Sequence, residues 1–429
     1  MSSRERHEHA FLVAVDQDAS ESLWSVEDSL SELGTLARTA GAEVVGTLIQ
    51  RLRHPDFATY IGRGRAQELR DTEKELGFDI VIFDDELSPS QQRNLEKLLE
   101  ARVIDRTALI LDIFAQHART REGRLQVELA QLEYRLPRLT GRGVELSRQT
   151  GGSRSAGAGG VGGAIGVRGP GETKLEIDRR RIRSRIAELR EEIEGVREQR
   201  TIHRRQRAAQ AIPVIAVVGY TNVGKSTLFN ALTEAEVLTE NKLFATLDPT
   251  TRHFTLPGNQ EALLTDTVGF IQKLPARLIA AFRATLEEVI DADLLLEVVD
   301  ISHENAIEQS ETVNEVLHEL EAGEKPRVTA LNKVDLLDEP AEIDTSLYPH
   351  AVAVSAQQNF GLDALLAQIA RVLAANMEAV QVIIPYDKSE LVELFHRRGR
   401  VELEEHRPNG TFIAGRIPRS LLNYFIQCK

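Results

Sequence analysis

The sequence predicts an α/β protein in four segments, one of which is a parallel-sheet domain that carries the chemistry. Three observations predict it. Short apolar runs alternate with amphipathic helical stretches over residues 11–106 and again, more regularly, over 212–373, the cadence of parallel α/β domains. Between these blocks lie two narrow apolar stripes at helical spacing, separated by a Gly-rich stretch. Beyond them, two strand-like runs meet at Asn409-Gly410, a turn-favouring pair. The boundaries that follow are 1–118, 119–210, 211–374 and 375–429.

In the first segment the expected strands are Phe11–Val15, Val44–Ile49 and Ile80–Phe83, with helices near Glu21–Thr39, after Gly64 and over Ser88–Glu100. Ser88-Pro89 is an N-cap followed by proline at the first helical position, where its missing N–H costs nothing. Tyr60-Ile61-Gly62-Arg63-Gly64-Arg65 admits two readings, a plain turn entering a helix or a second phosphate site.

The second segment reads as an antiparallel helical hairpin. Leu125, Leu129, Leu132 and Leu136 form one stripe, and Ile182, Ile186, Leu189, Ile193 and Val196 the other. Residues 141–171 hold 12 of the chain's 29 glycines with almost no apolar bulk, a composition that cannot bury a core. The chain as a whole carries −14, yet residues 119–207 hold 21 Arg and Lys against 12 Asp and Glu. Arg142, Arg148, Arg154, Arg168, Arg179, Arg180, Arg181, Arg183 and Arg185 therefore read as a polyanion contact within an acidic protein.

The third segment opens on Val214–Val218, an apolar run ending in Gly219-Tyr220-Thr221-Asn222-Val223-Gly224-Lys225-Ser226. This fits G-x-x-x-x-G-K-[ST] in its required context, strand before and helix (Thr227–Leu232) behind. Glycines let backbone N–H groups turn toward phosphate, Lys225 reaches the terminal phosphates, and Ser226 offers its hydroxyl to Mg2+. Leu263-Leu264-Thr265 then runs into Asp266-Thr267-Val268-Gly269, a carboxylate placed to hold Mg2+ through water and a glycine N–H for the γ-phosphate. Lys225 and Gly269 are the catalytic candidates. Thr329–Leu331 leads into Asn332-Lys333-Val334-Asp335. The Asp335 carboxylate can accept both guanine donors, Asn332 approaches N7, and the Lys333 stem lies along the base. Adenine lacks that donor pair, and sites of this kind reject the wrong ligand by about 10^4-fold or more. Val352–Val354 runs into Ser355, Ala356 and Gln357, whose backbone meets guanine O6. Four motifs in this order, each at a strand's end, make the segment a P-loop GTPase domain binding GTP and GDP.

Phe244-Ala245-Thr246-Leu247-Asp248 falls between the first two motifs as a switch segment, in which a threonine completes the Mg2+ shell when the γ-phosphate is present. Thr246 is the first choice, with Thr250 and Thr251 as competitors and a plain turn at Asp248-Pro249 as the bland reading. Phe270 stands where many GTPases place a water-orienting glutamine, so turnover awaits another group or a partner. Asn222 can offer its side-chain carbonyl to a monovalent cation, K+, between the phosphates, or simply tolerate the loop's dihedrals. The fourth segment reads as a small α+β appendage without chemistry.

At 28% charged and 42% hydrophobic, the composition excludes collagen-like and wholly disordered classes. No secretory signal or membrane span is read, and the lone cysteine, Cys428, suits a reducing cytosol. The expectation is a cytoplasmic monomer.

With these residues in hand the chain resembles the HflX family of translational GTPases, relatives of the Obg group. Beyond the generic motifs, the resemblance rests on Asp84–Gln91 (DDELSPSQ), Asp105-Arg106-Thr107, Leu125–Leu132 (LQVELAQL), Leu136-Pro137-Arg138-Leu139 and Arg168–Thr173 (RGPGET). It implies the same four-part architecture, binding to the large ribosomal subunit through ribosomal RNA, and splitting of stalled ribosomes under heat or antibiotic stress. Phe270 agrees with the family's lack of the glutamine. The rival reading is a regulatory GTPase whose client is a protein or a membrane-bound protease, reached through peripheral membrane association.

Overall fold

The computed structural model describes residues 8–17, 24–139, 170–210, 212–233, 243–244, 248–275, 278, 283–337, 344–418 and 421–426. It divides into two compact units, Met1–Val196 with Pro275–Ala281, and Arg197–Leu274 with Phe282–Lys429. Residues 141–169 of the Gly-rich stretch with its four arginines, the switch residues Ala245, Thr246 and Leu247, and Cys428 lie outside the described residues.

In the first unit, β1 (His9–Gln17), β2 (Glu43–Leu52), β3 (Ile80–Phe83) and β4 (Arg102–Asp105) form a parallel sheet in the order β2-β1-β3-β4. The helices between them are α1 (Val26–Thr39), α2 (Arg63–Leu76) and α3 (Pro89–Leu99). Every strand expected from the apolar runs is present. The first helix starts at Val26 instead of near Glu21, because the Ser25 side chain accepts from the Asp28 N–H and caps it there. Ser88 caps α3 with a reciprocal capping box to Gln91, as Ser88-Pro89 predicts. Phe11, Val13, Val81, Phe83 and Val103 form the apolar centre with Leu95 and Leu99 of α3.

A buried polar network sits at the carboxyl ends of β3 and β4. Asp105 caps α4 (Arg106–His117) through the Ala108 N–H at 2.9 Å. It also accepts from Leu87 N–H (3.1 Å), Tyr134 Oη (2.8 Å) and Arg138 (3.0 Å). Arg106, fully buried, donates to Asp84 (2.7 Å), Glu32 (2.7 Å) and the Ser29 carbonyl (3.0 Å). Burial opposes its charge, but Asp84 and Glu32 outweigh that and hold its pKa above the ordinary arginine value.

Helices α5 (Arg121–Arg138) and α6 (Pro170–Gln210) carry the hairpin's two stripes. Leu125, Leu129, Ile186, Leu189 and Ile193 bury against one another as the leucine and isoleucine spacing predicts. The helix runs to Gln210, 41 residues and so about 60 Å long at 1.5 Å per residue. The arginines divide. Arg185, counted in the sequence with the free ones, grips Glu128 with both Nε (2.8 Å) and Nη2 (3.1 Å). Among the described residues Arg179, Arg180, Arg181 and Arg183 make no ion pair, and all but half-buried Arg179 are exposed.

In the second unit a six-stranded sheet has the order β10-β9-β8-β5-β7-β6. Its strands are β5 (Val214–Gly219), β6 (Thr250–Leu256), β7 (Gln260–Asp266), β8 (Leu294–Asp300), β9 (Arg327–Asn332) and β10 (Val352–Ala353). All pair in parallel except β6, which runs antiparallel to β7. Helices α7 (Lys225–Thr233), α8 (Arg283–Asp291), α9 (Ala306–Glu319) and α10 (Leu362–Ala375) are interleaved with them. Strand β8 is buried at every position, the signature of a central parallel strand.

The chain then forms β11 (Met377–Ile384), α11 (Ser389–Arg398), β12 (Arg400–Arg407), β13 (Gly410–Pro418) and α12 (Leu422–Ile426). Strand β13 lies between β11 and β12, antiparallel to both. The expected hairpin turns at Pro408-Asn409. Gly410 has φ +149°, and a Cβ there would press on the Ile384 carbonyl.

Candidate functional site

Every motif residue that the structure describes is brought to the carboxyl edge of the six-stranded sheet. Strand order puts β5 between β8 and β7, so the loop after β5 faces the ends of both neighbours. Gly219 (φ +148°) and Gly224 (φ +95°) bend that loop. A Cβ on Gly219 would strike the Val298 carbonyl and one on Gly224 the Asn332 amide, so both positions require glycine for space as well as for dihedral.

Lys225 begins α7 and lies buried, its Nζ donating to the carbonyls of Gly219 (3.2 Å) and Tyr220 (2.5 Å). Burial pulls its pKa down to about 8, with Asp266 acting in the opposite sense. A phosphate at this point would favour the charged form, which is the electrostatic use of a buried lysine here. Ser226, next in the helix, donates its hydroxyl to Asp266 Oδ2 at 2.8 Å. A hydroxyl and a carboxylate so close, at the start of a helix beside a lysine, form a hard-oxygen donor set that fits Mg2+. Gly269 packs against this cluster: a Cβ there would lie 2.7 Å from Lys225 Nζ and 3.0 Å from Thr221 Cα.

The segment after Asp266 is tied to the phosphate loop by backbone bonds. Phe270 N–H donates to Gly219 O (3.1 Å) and Thr221 N–H to Phe270 O (2.8 Å). Thr267 Oγ1 donates to Val217 O at 2.6 Å, and Val268 is buried. The Phe270 side chain is 1% exposed. It is therefore a core residue in this arrangement. Tyr220 also turns inward, its hydroxyl accepting from the Gln272 N–H at 2.8 Å, a tie that motif reading missed.

Val223 is buried beside the loop, and its carbonyl accepts from Asn332 Nδ2 at 2.8 Å. Asn332 Oδ1 accepts from the Ala356 N–H at 3.0 Å. This amide thus ties the phosphate loop to the Ser355-Ala356 loop. The Ala356 N–H, expected at guanine O6, is held by Asn332 in this arrangement. Lys333, at φ +65°, donates to Asn222 O (3.1 Å) and Asp300 Oδ2 (2.5 Å). Asp300 was missed by motif reading, though a carboxylate ending the apolar run Leu294–Val299 was a visible signal. Asp335 lies half-buried in a short 3-10 turn, Val334–Leu336, and accepts no hydrogen bond among the described residues. Val334 is buried beneath it. Ser355 is buried, its Oγ accepting from Gln358 N–H, and Gln357 is exposed.

Asn222 is exposed at φ +63°. Asparagine tolerates that region better than most residues, so the dihedral accommodates both expected readings of the position. Of the switch candidates, Thr250 and Thr251 are strand residues paired with Asp266 and Thr265. Phe244 is buried at φ +58°, and Asp248 follows in a bend before β6.

The described helices include none long and apolar enough to cross a membrane. Family models match four successive stretches: "GTP-binding GTPase N-terminal" at 27–115, "GTP-binding GTPase Middle Region" at 117–207, "50S ribosome-binding GTPase" at 214–333 and "HflX C-terminal domain" at 345–414. GTPase HflX of Caldanaerobacter subterraneus subsp. tengcongensis is 47% identical, covering 96% of this chain and 91% of that protein. GTPase HflX of Escherichia coli is 42% identical over 90% of this chain and 88% of its own length. A solved GTP-binding protein from Sulfolobus solfataricus, in complex with GDP, aligns over 85% of this chain and 98% of that one at 25% identity and TM-score 0.42. The sequence relatives extend over both units, and with a phosphate loop, acidic strand end and guanine motifs converging on one sheet edge, the chain belongs to the HflX family of GTPases.

Proposed function

We propose that this GTPase binds the large ribosomal subunit in its GTP state, contacts ribosomal RNA through the helical hairpin, and dissociates stalled ribosomes, with hydrolysis resetting the cycle. The observation that carries this reading is the exposed row Arg180, Arg181 and Arg183 on α6, free of ion pairs among the described residues while Arg185 beside it is spent on Glu128. An acidic chain approaches a polyanion only by local charge, and arginine both pairs with phosphate and stacks on bases. The match of residues 214–333 to a model described as 50S ribosome-binding supports the same partner. In this reading the four segments keep the boundaries expected from the sequence and the protein acts as a cytoplasmic monomer.

Within the site, Lys225 and the loop N–H groups hold the terminal phosphates, and Gly269 offers its N–H to the γ-phosphate. Ser226 and Thr246 would ligate Mg2+ with Asp266 supporting it, and the bound ion would neutralise developing charge on the phosphates. Asp335, Asn332 and Lys333 read the base. Asn222 lends a carbonyl to K+; potassium is then expected to support faster hydrolysis than sodium, and Asn222→Ala to erase the difference. Equal rates in both salts for the parent would remove the cation.

Co-sedimentation with ribosomes in a non-hydrolysable GTP analogue tests the partner. Replacing Arg179, Arg180 and Arg181 with alanine, or residues 151–163 with a short Gly-Ser link, is expected to leave GTP binding intact and weaken association. For the triple variant the slope of log affinity against log salt should fall by roughly 2 to 3, one contact's worth per arginine. Parent protein that fails to sediment would favour the rival, a protein or membrane-protease client.

A further inference from the structure

Phe57 is 92% exposed, the most exposed large hydrophobic side chain described. It does not hang on a loose loop. Asp56 Oδ1 accepts from the N–H groups of Ala58 (2.8 Å) and Thr59 (2.9 Å) and from Thr59 Oγ1 (3.0 Å). Asp56 and Tyr60 exchange both backbone bonds at 2.9 Å. Two side chains of α3 hold the turn from outside, Gln91 donating to Asp56 O (3.0 Å) and Asn94 to Ala58 O (2.8 Å). Tyr60 closes it, buried at φ +61° with its hydroxyl on Asp85 at 2.6 Å.

A bulky residue in the left-handed region is a strained conformation, which persists only where its surroundings over-determine it and which clusters at functional positions. Here the strain and the bonds fix a turn whose tip is a bare phenyl ring. A stability role is excluded by the exposure, since a ring in water contributes no burial. What remains is display.

The surroundings state what the ring is displayed to. Residues 51–65 hold four arginines and a histidine against one acid, Asp56, in a chain of net −14. Asp56 is itself occupied by the turn's own N–H groups, and these, with the Arg63 charge, hold its carboxyl below the usual range. Arg53, His54, Arg63 and Arg65 are exposed; Arg65 pairs with Glu68, while Arg53 and Arg63 make no ion pair among the described residues. A rigid aromatic flanked by unpaired guanidinium groups matches the demands of single-stranded nucleic acid, a π face for a base and cations for the phosphates on either side. An apolar protein pocket would have no use for the arginines.

We infer that the Asp56–Tyr60 turn is a second RNA contact, in which Phe57 stacks on an unpaired base while Arg53 and Arg63 meet the adjoining phosphates. The Tyr60–Arg65 stretch, open in sequence between a plain turn and a phosphate site, thereby gains a role through the ring before it. The inference rests on the ribosomal reading for its RNA and is independent of the hairpin.

The test uses the full chain with a non-hydrolysable GTP analogue and purified large ribosomal subunits. Phe57→Ala should weaken association by about 5- to 150-fold, the range for losing one stacked base. Phe57→Tyr and Phe57→Trp should restore it, and the tryptophan variant's fluorescence should be quenched by subunits beyond any change in the parent. GTP affinity, read in parallel, should be the same for all. Alanine binding as tightly as the parent would overturn the contact. Full affinity with Phe57→Leu would overturn stacking in favour of an apolar protein surface. Parent protein that does not bind subunits at all would instead sink the ribosomal reading.

Discussion

Asp335→Asn is expected to abolish GTP binding and to confer binding of xanthosine triphosphate. Guanine offers two donors, N1–H and the exocyclic amine, and in the proposed site the two oxygens of the Asp335 carboxylate accept both. An asparagine keeps one acceptor and turns the other into a donor, which then faces the amine. Xanthine carries a carbonyl in place of that amine and suits the new pair. The geometry favours a clean result. Asp335 lies half-buried in a short turn and accepts no hydrogen bond among the described residues, so the isosteric change disturbs little of the fold. The Asn332 side chain is bonded to Val223 and Ala356, not to Asp335. Loss of GTP affinity should be about 10^4-fold or more. Direct titration with both nucleotides checks it, and GTP affinity retained within tenfold would mean that the base is read elsewhere.

Arg106→Ala should lower the stability of the N-terminal α/β sheet domain by about 3–5 kcal/mol, the cost of removing one partner from a buried ion pair. The guanidinium is 1% exposed and bonded to Asp84, Glu32 and Ser29. Alanine leaves Asp84, itself 1% exposed, without its countercharge. Arg106→Lys should recover little, because one ammonium cannot reproduce a planar fork that meets three groups at once. Trp24 is the chain's only tryptophan and adjoins α1, so its fluorescence in a urea series reports on this sheet domain. A midpoint moved by less than about 1 kcal/mol would show that Asp84 and Glu32 find other partners. GTP binding should be unaffected, since the site belongs to the other compact unit.

Arg106 also marks where sequence reading stops. Asp105-Arg106-Thr107 stood out as a family signature, but nothing local says what it does. Its partners are 22 and 74 residues away, brought together by the placing of β3 beside β4 and by the packing of α1. The same holds for Arg138 in Leu136–Leu139, which reaches back 33 residues to Asp105. Arg185 shows the reverse error. Counted among polyanion-binding arginines by composition, it is committed to Glu128, 57 residues earlier, and only the hairpin's register reveals it.

The sequence by itself determined the alternation of strands and helices, the capped start of α3, the hairpin's apolar stripes and the order of the guanine-nucleotide motifs. These are legible because each depends on neighbours within a turn or a strand: apolar period, capping residues, glycines at fixed spacing, a carboxylate at a strand end. The tertiary structure alone decided that Phe270 is a core side chain, that Asn332 bridges the phosphate and base loops, that Asp300 holds Lys333, and that Phe57 stands bare on a rigid turn. Those facts depend on which residues meet across the sheet order and on what burial leaves exposed, and contacts between distant segments leave no local period in the chain.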